Sequence, residues 1–310
     1  MKKAKQEPAE PLLTLTPTAE TTLEREGFIS ALYTPEQDRY PGKALIMVGG
    51  SDGMFSLTKL IAEQYTAQGL TVLALAYWNR DGLPRKLSGI PLESGEKAAL
   101  WLRSRGYEKI GIWGISQGSV FALLCASYLP ELFSCVVAVN PMCVCGQGFQ
   151  KKNDYVSKTC LCEGSIFTFR DRDIPFAPLQ FSKKALFGAM LRRREYCLRP
   201  IYEDLPQNAP QEAYIPIQRM DAPLFLLAAE NDAMWPSMEA AEVMVQRLKD
   251  ANYNRAVLFE HYPYASHFLL PYQLKSRKLF RVERKYPKQC AESNEDAFRK
   301  TLDFLQNHWA

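Results

Sequence analysis

Residues 109–129, KIGIWGISQGSVFALLCASYL, constrain this chain more than any other stretch. An apolar run of β-type residues passes through Gly114-Ile115-Ser116-Gln117-Gly118 into an apolar, helix-compatible run. The pattern predicts a strand, a sharp turn and a helix. G-x-S-x-G in that setting is a nucleophile elbow. The turn would hold Ser116 in a strained conformation, its hydroxyl projecting from the end of a sheet. Gly114 and Gly118 carry no side chain, so neighbouring backbone can pass close to the turn. The next helix would aim its N-terminal N–H groups and partial positive charge at an oxyanion formed on an attacked carbonyl. An ordinary strand-to-helix turn with Ser116 as a cap is the alternative.

Alternation on either side of this stretch sets the fold class. Apolar strand-like runs stand at 43–48, 70–77, 133–140, 224–230 and 255–262, and an edge strand is expected at 25–35. Helical patterns over 56–68, 92–105, 236–252 and 293–309 separate or follow them. Strands and helices in turn predict an α/β architecture, a mostly parallel central sheet with helices on both faces. The alternation fails over 142–215, which holds no clean period. Between 143 and 200 there are eleven Lys and Arg against five Asp and Glu. A long irregular stretch inside a regular sheet is expected to be a cap-like insertion over the site. The domain reading is therefore a flexible tail over 1–24 and one catalytic domain over 25–310.

Composition excludes several classes. A net charge of +4 does not point to nucleic acid. No run of eighteen apolar residues exists, so no membrane span is expected. The N-terminal lysines are followed by no apolar core of a signal peptide, so a cytoplasmic protein is expected. Eight cysteines in 310 residues are too few for a disulfide scaffold and are expected as free thiols. Cys143/Cys145 and Cys160/Cys162 would offer four thiolates to zinc, but a one-residue separation is not the usual ligand spacing. No metal and no cofactor are called for.

A serine hydroxyl needs a base within hydrogen-bond reach, and the base needs an orienting acid. The chain has three histidines, His261, His267 and His308. His261 lies inside a strand-like run and His308 near the C-terminus. His267 follows the last strand, where loops converge above the elbow, and is the expected base. The acid should follow a strand and precede the base. Asp232 fits, directly after LFLLAAE, with Glu230 as rival. An oxyanion hole needs two N–H donors. Gln117, the residue after the nucleophile, is expected to supply one; Ser51 or Asp52, in the loop GGSDG after the strand at 43–48, the other.

These residues sit in stretches that resemble one family. GGSDGMF, LTVLALAYWNRDGLPRKLSGIPLE, IGIWGISQG, IPIQRMDAPLFLLAAENDAMW and HYPYASHFLLPY are similar to segments of the C-terminal catalytic domain of acyl-CoA thioesterases and bile acid-CoA:amino acid N-acyltransferase, relatives of dienelactone hydrolase. The resemblance runs over 43–310 and is weakest in 143–210. It implies an α/β-hydrolase fold, places the acid on Asp232 and the base on His267, and implies a small-molecule acyl ester or acyl-CoA substrate. Eukaryotic members carry an N-terminal β-sandwich, which the stretch before Lys43 is expected to be too short to form. Acyltransferase members tend to use cysteine at the elbow. Ser116 therefore implies hydrolysis through an acyl-enzyme, with a carboxylesterase, a peptidase, an acyltransferase or a non-catalytic binding protein as rivals.

Overall fold

The computed structural model describes residues 15–150, 160–180, 182–271 and 275–309. Its elements in chain order are β1 (Ala19–Thr21), β2 (Ile29–Tyr33), β3 (Lys43–Val48), α1 (Phe55–Thr66), β4 (Thr71–Ala76), β5 (Ile90–Pro91), α2 (Glu93–Arg103), β6 (Lys109–Ile115), α3 (Gln117–Tyr128) and β7 (Cys135–Val139). Then come β8 (Gln147–Gln150), β9 (Cys160–Ser165), β10 (Phe167–Phe169), β11 (Arg172–Asp173), α4 (Lys183–Arg193) and α5 (Leu205–Asn208). The chain finishes with β12 (Leu224–Ala229), α6 (Ser237–Asp250), β13 (Val257–Tyr262), α7 (Arg281–Lys285) and α8 (Pro287–Asn307).

Eight strands form the central sheet in the order β1-β2-β4-β3-β6-β7-β12-β13. β1–β2 and β2–β4 pair antiparallel, and every pair from β4 to β13 is parallel. Side chains alternate between two cores, as the pleat requires. Ala44, Ile46 and Val48 of β3 enter one core with α2, α3 and α6, whereas Leu45 and Met47 enter the other with α1 and α8. Both faces are therefore covered, which is why the inner strands β3, β4, β6, β7 and β12 are mostly apolar rather than alternating with polar residues.

The chain runs from β3 outward to β4 and then returns past β3 to β6. Strand order reverses there, and a crevice opens beyond the carboxyl ends of the two strands. The loop after β3 and the turn after β6 meet at that crevice.

Three features differ from the expectations. The edge strand is β1, not the 25–35 stretch, and it lies within residues expected to be a flexible tail. Three residues carry no period; β1 exists because it pairs with β2, Thr21 opposite Ser30, with their hydroxyls 2.9 Å apart. β5, in the loop before α2, pairs with β10 across 77 residues, Ile90 with Phe167. α8 starts six residues before 293, at Pro287, where a proline loses no helical hydrogen bond.

Residues 142–215 hold β8 to β11, α4 and α5. Much of this segment folds back on the core: Val144, Phe149, Ile166, Phe167 and Ile174 join the cluster containing α3. Phe167 lies 5.7 Å from Phe121 of α3, which stacks on Tyr77 at 4.8 Å. α3 is thus enclosed on every side, buried from Gln117 to Ser127, and its sequence is apolar all round for that reason.

Candidate active site

Ser116 sits between β6 and α3 at φ 57°, ψ −127°. A non-glycine residue held there costs about 1–3 kcal/mol and needs its surroundings to enforce it. Two close approaches do so. A Cβ on Gly114 would lie 2.1 Å from the Gly118 carbonyl oxygen. A Cβ on Gly118 would lie 2.3 Å from the Gly49 oxygen and 2.7 Å from that of Val48. The helix therefore starts directly against the end of β3. The Ser116 N–H donates to Val139 at 3.0 Å, tying the turn to β7 as well.

His267 and Asp232 come together across 35 residues of sequence. His267 Nδ1 is 2.8 Å from Asp232 Oδ2, and both residues are buried, Asp232 completely. The other carboxylate oxygen, Oδ1, accepts the Met234 N–H at 2.8 Å. Both oxygens of Asp232 are thus engaged and its orientation is set. Trp235 meets the imidazole edge-on, with centroids 5.6 Å apart. Glu230, the rival acid, pairs instead with His261 at 2.7 Å on the exposed ends of β12 and β13. His308 stacks on Phe304 at the end of α8.

Ser116 and His267 line one cavity of about 170 Å³, together with Gly50, Ser51 and Asp52. Its remaining walls are mostly apolar, from Leu57 and Ile61 of α1 and from Phe268, Leu270 and Phe280 opposite. From 142–215, Tyr196 reaches this wall. Gly50 crosses directly over the serine; a Cβ on it would lie 3.5 Å from Ser116 Oγ.

The loop carrying Gly50 is held by two aromatic residues that the sequence reading passed over. The Tyr77 hydroxyl donates to the Gly49 carbonyl at 2.9 Å, and Trp78 Nε1 donates to the Gly50 carbonyl at 3.3 Å. Burial pushes the Tyr77 hydroxyl well above the usual phenol range, so it remains a donor. In a planar trans peptide the N–H points opposite to the carbonyl. The Ser51 N–H therefore points away from Trp78. Gln117 opens α3, so its N–H has no acceptor within the helix. The Asp52 carboxylate caps the Met54 N–H at 2.7 Å.

Asn140 is the other residue missed. It is fully buried at the end of β7, with φ 44°. Its Nδ2 donates to the His267 carbonyl at 2.9 Å, and its Oδ1 accepts the Ala229 N–H at 2.7 Å. Its carbonyl accepts Trp235 Nε1 at 3.0 Å. One side chain and its backbone thereby join the loops bearing the base and the acid to the strand beside the elbow. A polar residue ending a buried strand, FSCVVAVN, is the only sequence signal for it.

The cysteines do not converge on this site. Cys143 and Cys145 are buried, and burial pushes their thiols up to about 12 and about 11. Cys145 Sγ lies 3.2 Å from the Ser165 hydroxyl, and Cys160 and Cys162 sit on β9. Among the described residues, no three metal-ligating side chains are drawn together.

The family model for the BAAT / acyl-CoA thioester hydrolase C-terminal domain matches residues 90–310. The chain belongs to this family. Mouse acyl-coenzyme A thioesterase 2, a mitochondrial protein, is 27% identical over 254 residues, covering 80% of this chain and 49% of that protein. Mouse acyl-coenzyme A thioesterase 1 is 26% identical over 80% of this chain and 53% of its own length. The chain thus spans about half the length of the thioesterases it matches. Among solved structures, a dienelactone hydrolase-like protein of Klebsiella pneumoniae superposes with a TM-score of 0.57 at 17% identity, covering 93% of this chain and 98% of its own. A puromycin-hydrolysing peptidase of Mycobacterium tuberculosis gives 0.53 at 16% identity, over 91% of this chain and 37% of its own. The architecture is that of the α/β-hydrolases, and this BAAT / thioester hydrolase domain carries the elbow and the His267–Asp232 pair at the carboxyl edge of its sheet.

Proposed function

We propose that this domain is a serine hydrolase that cleaves an acyl-CoA thioester or a related ester through a covalent acyl-enzyme. The observation that carries the reading is the buried 2.8 Å hydrogen bond between His267 and Asp232 at a cavity shared with the strained Ser116. In this mechanism Ser116 Oγ attacks the carbonyl carbon while His267 Nε2 takes the hydroxyl proton. The N–H groups of Gln117 and of Ser51 or Asp52 hold the oxyanion. The tetrahedral intermediate collapses to the acyl-serine, and the leaving thiolate or alkoxide receives the proton from His267. Water then attacks the acyl-serine with His267 again as base, and Ser116 is regenerated with release of the acid. Asp232 keeps the proton on Nδ1, leaving Nε2 free to accept. The apolar walls from α1 and from Phe268, Leu270 and Phe280 suit a hydrocarbon acyl group. Membership of the thioesterase family supports CoA as leaving group.

Fluorophosphonate labelling with peptide mapping tests this. Modification is expected at Ser116 and is expected to disappear in His267→Ala. A panel of acyl-CoA, oxyester and peptide substrates then reads the leaving group, and added amino acids reveal amide formation by an acyltransferase. A folded protein in which Ser116 resists the reagent would refute the mechanism.

A further inference from the structure

α4 carries a surface that the proposed chemistry does not use. Phe187 and Leu191 lie one turn apart on the same face and are 71% and 69% exposed. They are the two most exposed large hydrophobic side chains among the described residues. The opposite face is already occupied: Leu186 and Ala189 are buried, and Ala189 and Met190 pack with Phe280 and Val282. The helix is therefore apolar on two faces, one packed and one open.

Cations bracket the open face. Lys183 and Lys184 begin the helix; Arg192, Arg193 and Arg194 end it, with Arg193 ion-paired to Glu195 at 2.6 Å. No Asp or Glu occurs between Asp173 and Glu195. Arginines at a helix C-terminus complement its dipole, but two lysines in the first turn oppose it. The Ser182 hydroxyl already caps the helix by accepting the Ala185 N–H at 3.2 Å. Helix formation thus gives no account of the lysines, and core packing gives none of Phe187 and Leu191.

We propose that α4 is an interfacial helix that seats the protein on an anionic lipid surface. An apolar pair between basic ends matches a layer that is negative at its headgroups and hydrocarbon just beneath. Phe187 and Leu191 would enter the acyl region while the lysine and arginine stems reach back to the phosphates. The helix would lie on the membrane rather than cross it, since no described helix is long and apolar enough to span one. Its C-terminal end is fastened to the wall of the cavity. The Tyr196 N–H donates to the Leu279 carbonyl at 3.1 Å, and Arg284 donates to the Arg194 carbonyl. Tyr196 and Leu279 both line that cavity, and Leu279 is 51% exposed. Docking through α4 therefore holds this wall near the lipid, where an amphipathic acyl substrate concentrates; this last clause rests on the proposed function.

Co-sedimentation of the whole chain with vesicles tests the proposal without any substrate. Vesicles of phosphatidylcholine alone are compared with vesicles in which phosphatidylserine replaces about a third of the lipid. Binding is expected to the second and not the first, and to weaken as salt is raised. Each cation at an anionic surface contributes roughly a fivefold factor, so Lys183→Gln with Lys184→Gln is expected to weaken binding about 25-fold. Phe187→Ser with Leu191→Ser is expected to weaken it at least about tenfold. These four side chains are exposed and line no part of the cavity, so fluorophosphonate labelling should stay at the wild-type rate. Equal binding to both vesicles, or unchanged binding by the Phe187/Leu191 variant, would overturn the proposal. Retention on polyglutamate without vesicle binding would overturn it in favour of an acidic protein partner. A dimer that the Phe187/Leu191 variant abolishes, again without vesicle binding, would overturn it in favour of self-association. Vesicle binding is read independently of whether Ser116 reacts.

Discussion

Asp232→Asn separates the proposed mechanism from a merely structural role for this carboxylate. Oδ1 accepts the Met234 N–H at 2.8 Å, so the amide oxygen of the new side chain must stay on that side. The flipped rotamer would set an NH2 against the half-buried Met234 N–H and leave both donors unpaired, at a cost of about 1–3 kcal/mol for the buried one. The NH2 group therefore replaces Oδ2, 2.8 Å from His267 Nδ1. An amide donor there requires Nδ1 to accept, which moves the imidazole proton to Nε2. The base then presents an N–H to Ser116 and cannot take its proton. Packing is unchanged, so stability should move little while kcat/KM falls by roughly four decades, about 5.4 kcal/mol of barrier. Thiol release from an acyl-CoA measures kcat/KM, the fluorophosphonate rate measures serine activation, and thermal melting measures the fold. Both rates should fall together. A variant that keeps its melting temperature and loses less than about tenfold in rate would refute the tautomer argument. So would a loss of the same size in Glu230→Gln.

Three further outcomes follow from the geometry. Gly118→Ala places a Cβ 2.3 Å from the Gly49 oxygen, backbone against backbone, and is expected to cost more than about 3 kcal/mol, seen as a lowered denaturant midpoint together with lost labelling. Asn140→Ala strands the buried Ala229 N–H and the His267 carbonyl and puts alanine at φ 44°; about 3–5 kcal/mol of stability should be lost, with kcat falling more than KM rises, as denaturant titration and steady-state kinetics will show. His261→Gln and His308→Gln should each keep near wild-type turnover, because one pairs with Glu230 at the surface and the other stacks on Phe304, so lost turnover in a folded variant would contradict the assignment of His267.

Most of the sheet was legible because its determinants are local. The runs at 43–48, 70–77 and 224–230 are buried parallel strands whose apolar content marks them, the run at 255–262 is the half-buried parallel strand at the sheet's edge, and helices such as α2 and α6 show an apolar stripe. Strand-end logic singled out Ser116, Asp232 and His267, since loops at carboxyl edges converge wherever the topology is doubly wound. The misses were non-local. β1 and β5 are too short to carry a period and exist through their partners. Tyr77 reads as the end of a strand and Trp78 follows it, yet their polar atoms hold the loop over the serine.

Sequence alone determined the α/β class, the family and the elbow, because a G-x-S-x-G turn between a strand and a helix encodes its own backbone geometry. Sequence position favoured Asp232 and left Glu230 as its rival; the tertiary structure puts Asp232 against His267 and Glu230 against His261. Glu230 and Asp232 are two residues apart and chemically alike, but one ends a strand beside His261 and the other turns inward beneath His267. It also decided that Asn140 ties both loops to the sheet and that Phe187 and Leu191 stay exposed. Hydrogen bonds spanning 89 and 127 residues, and the exposure of a helix face, depend on where other elements come to rest, and no local pattern carries that information.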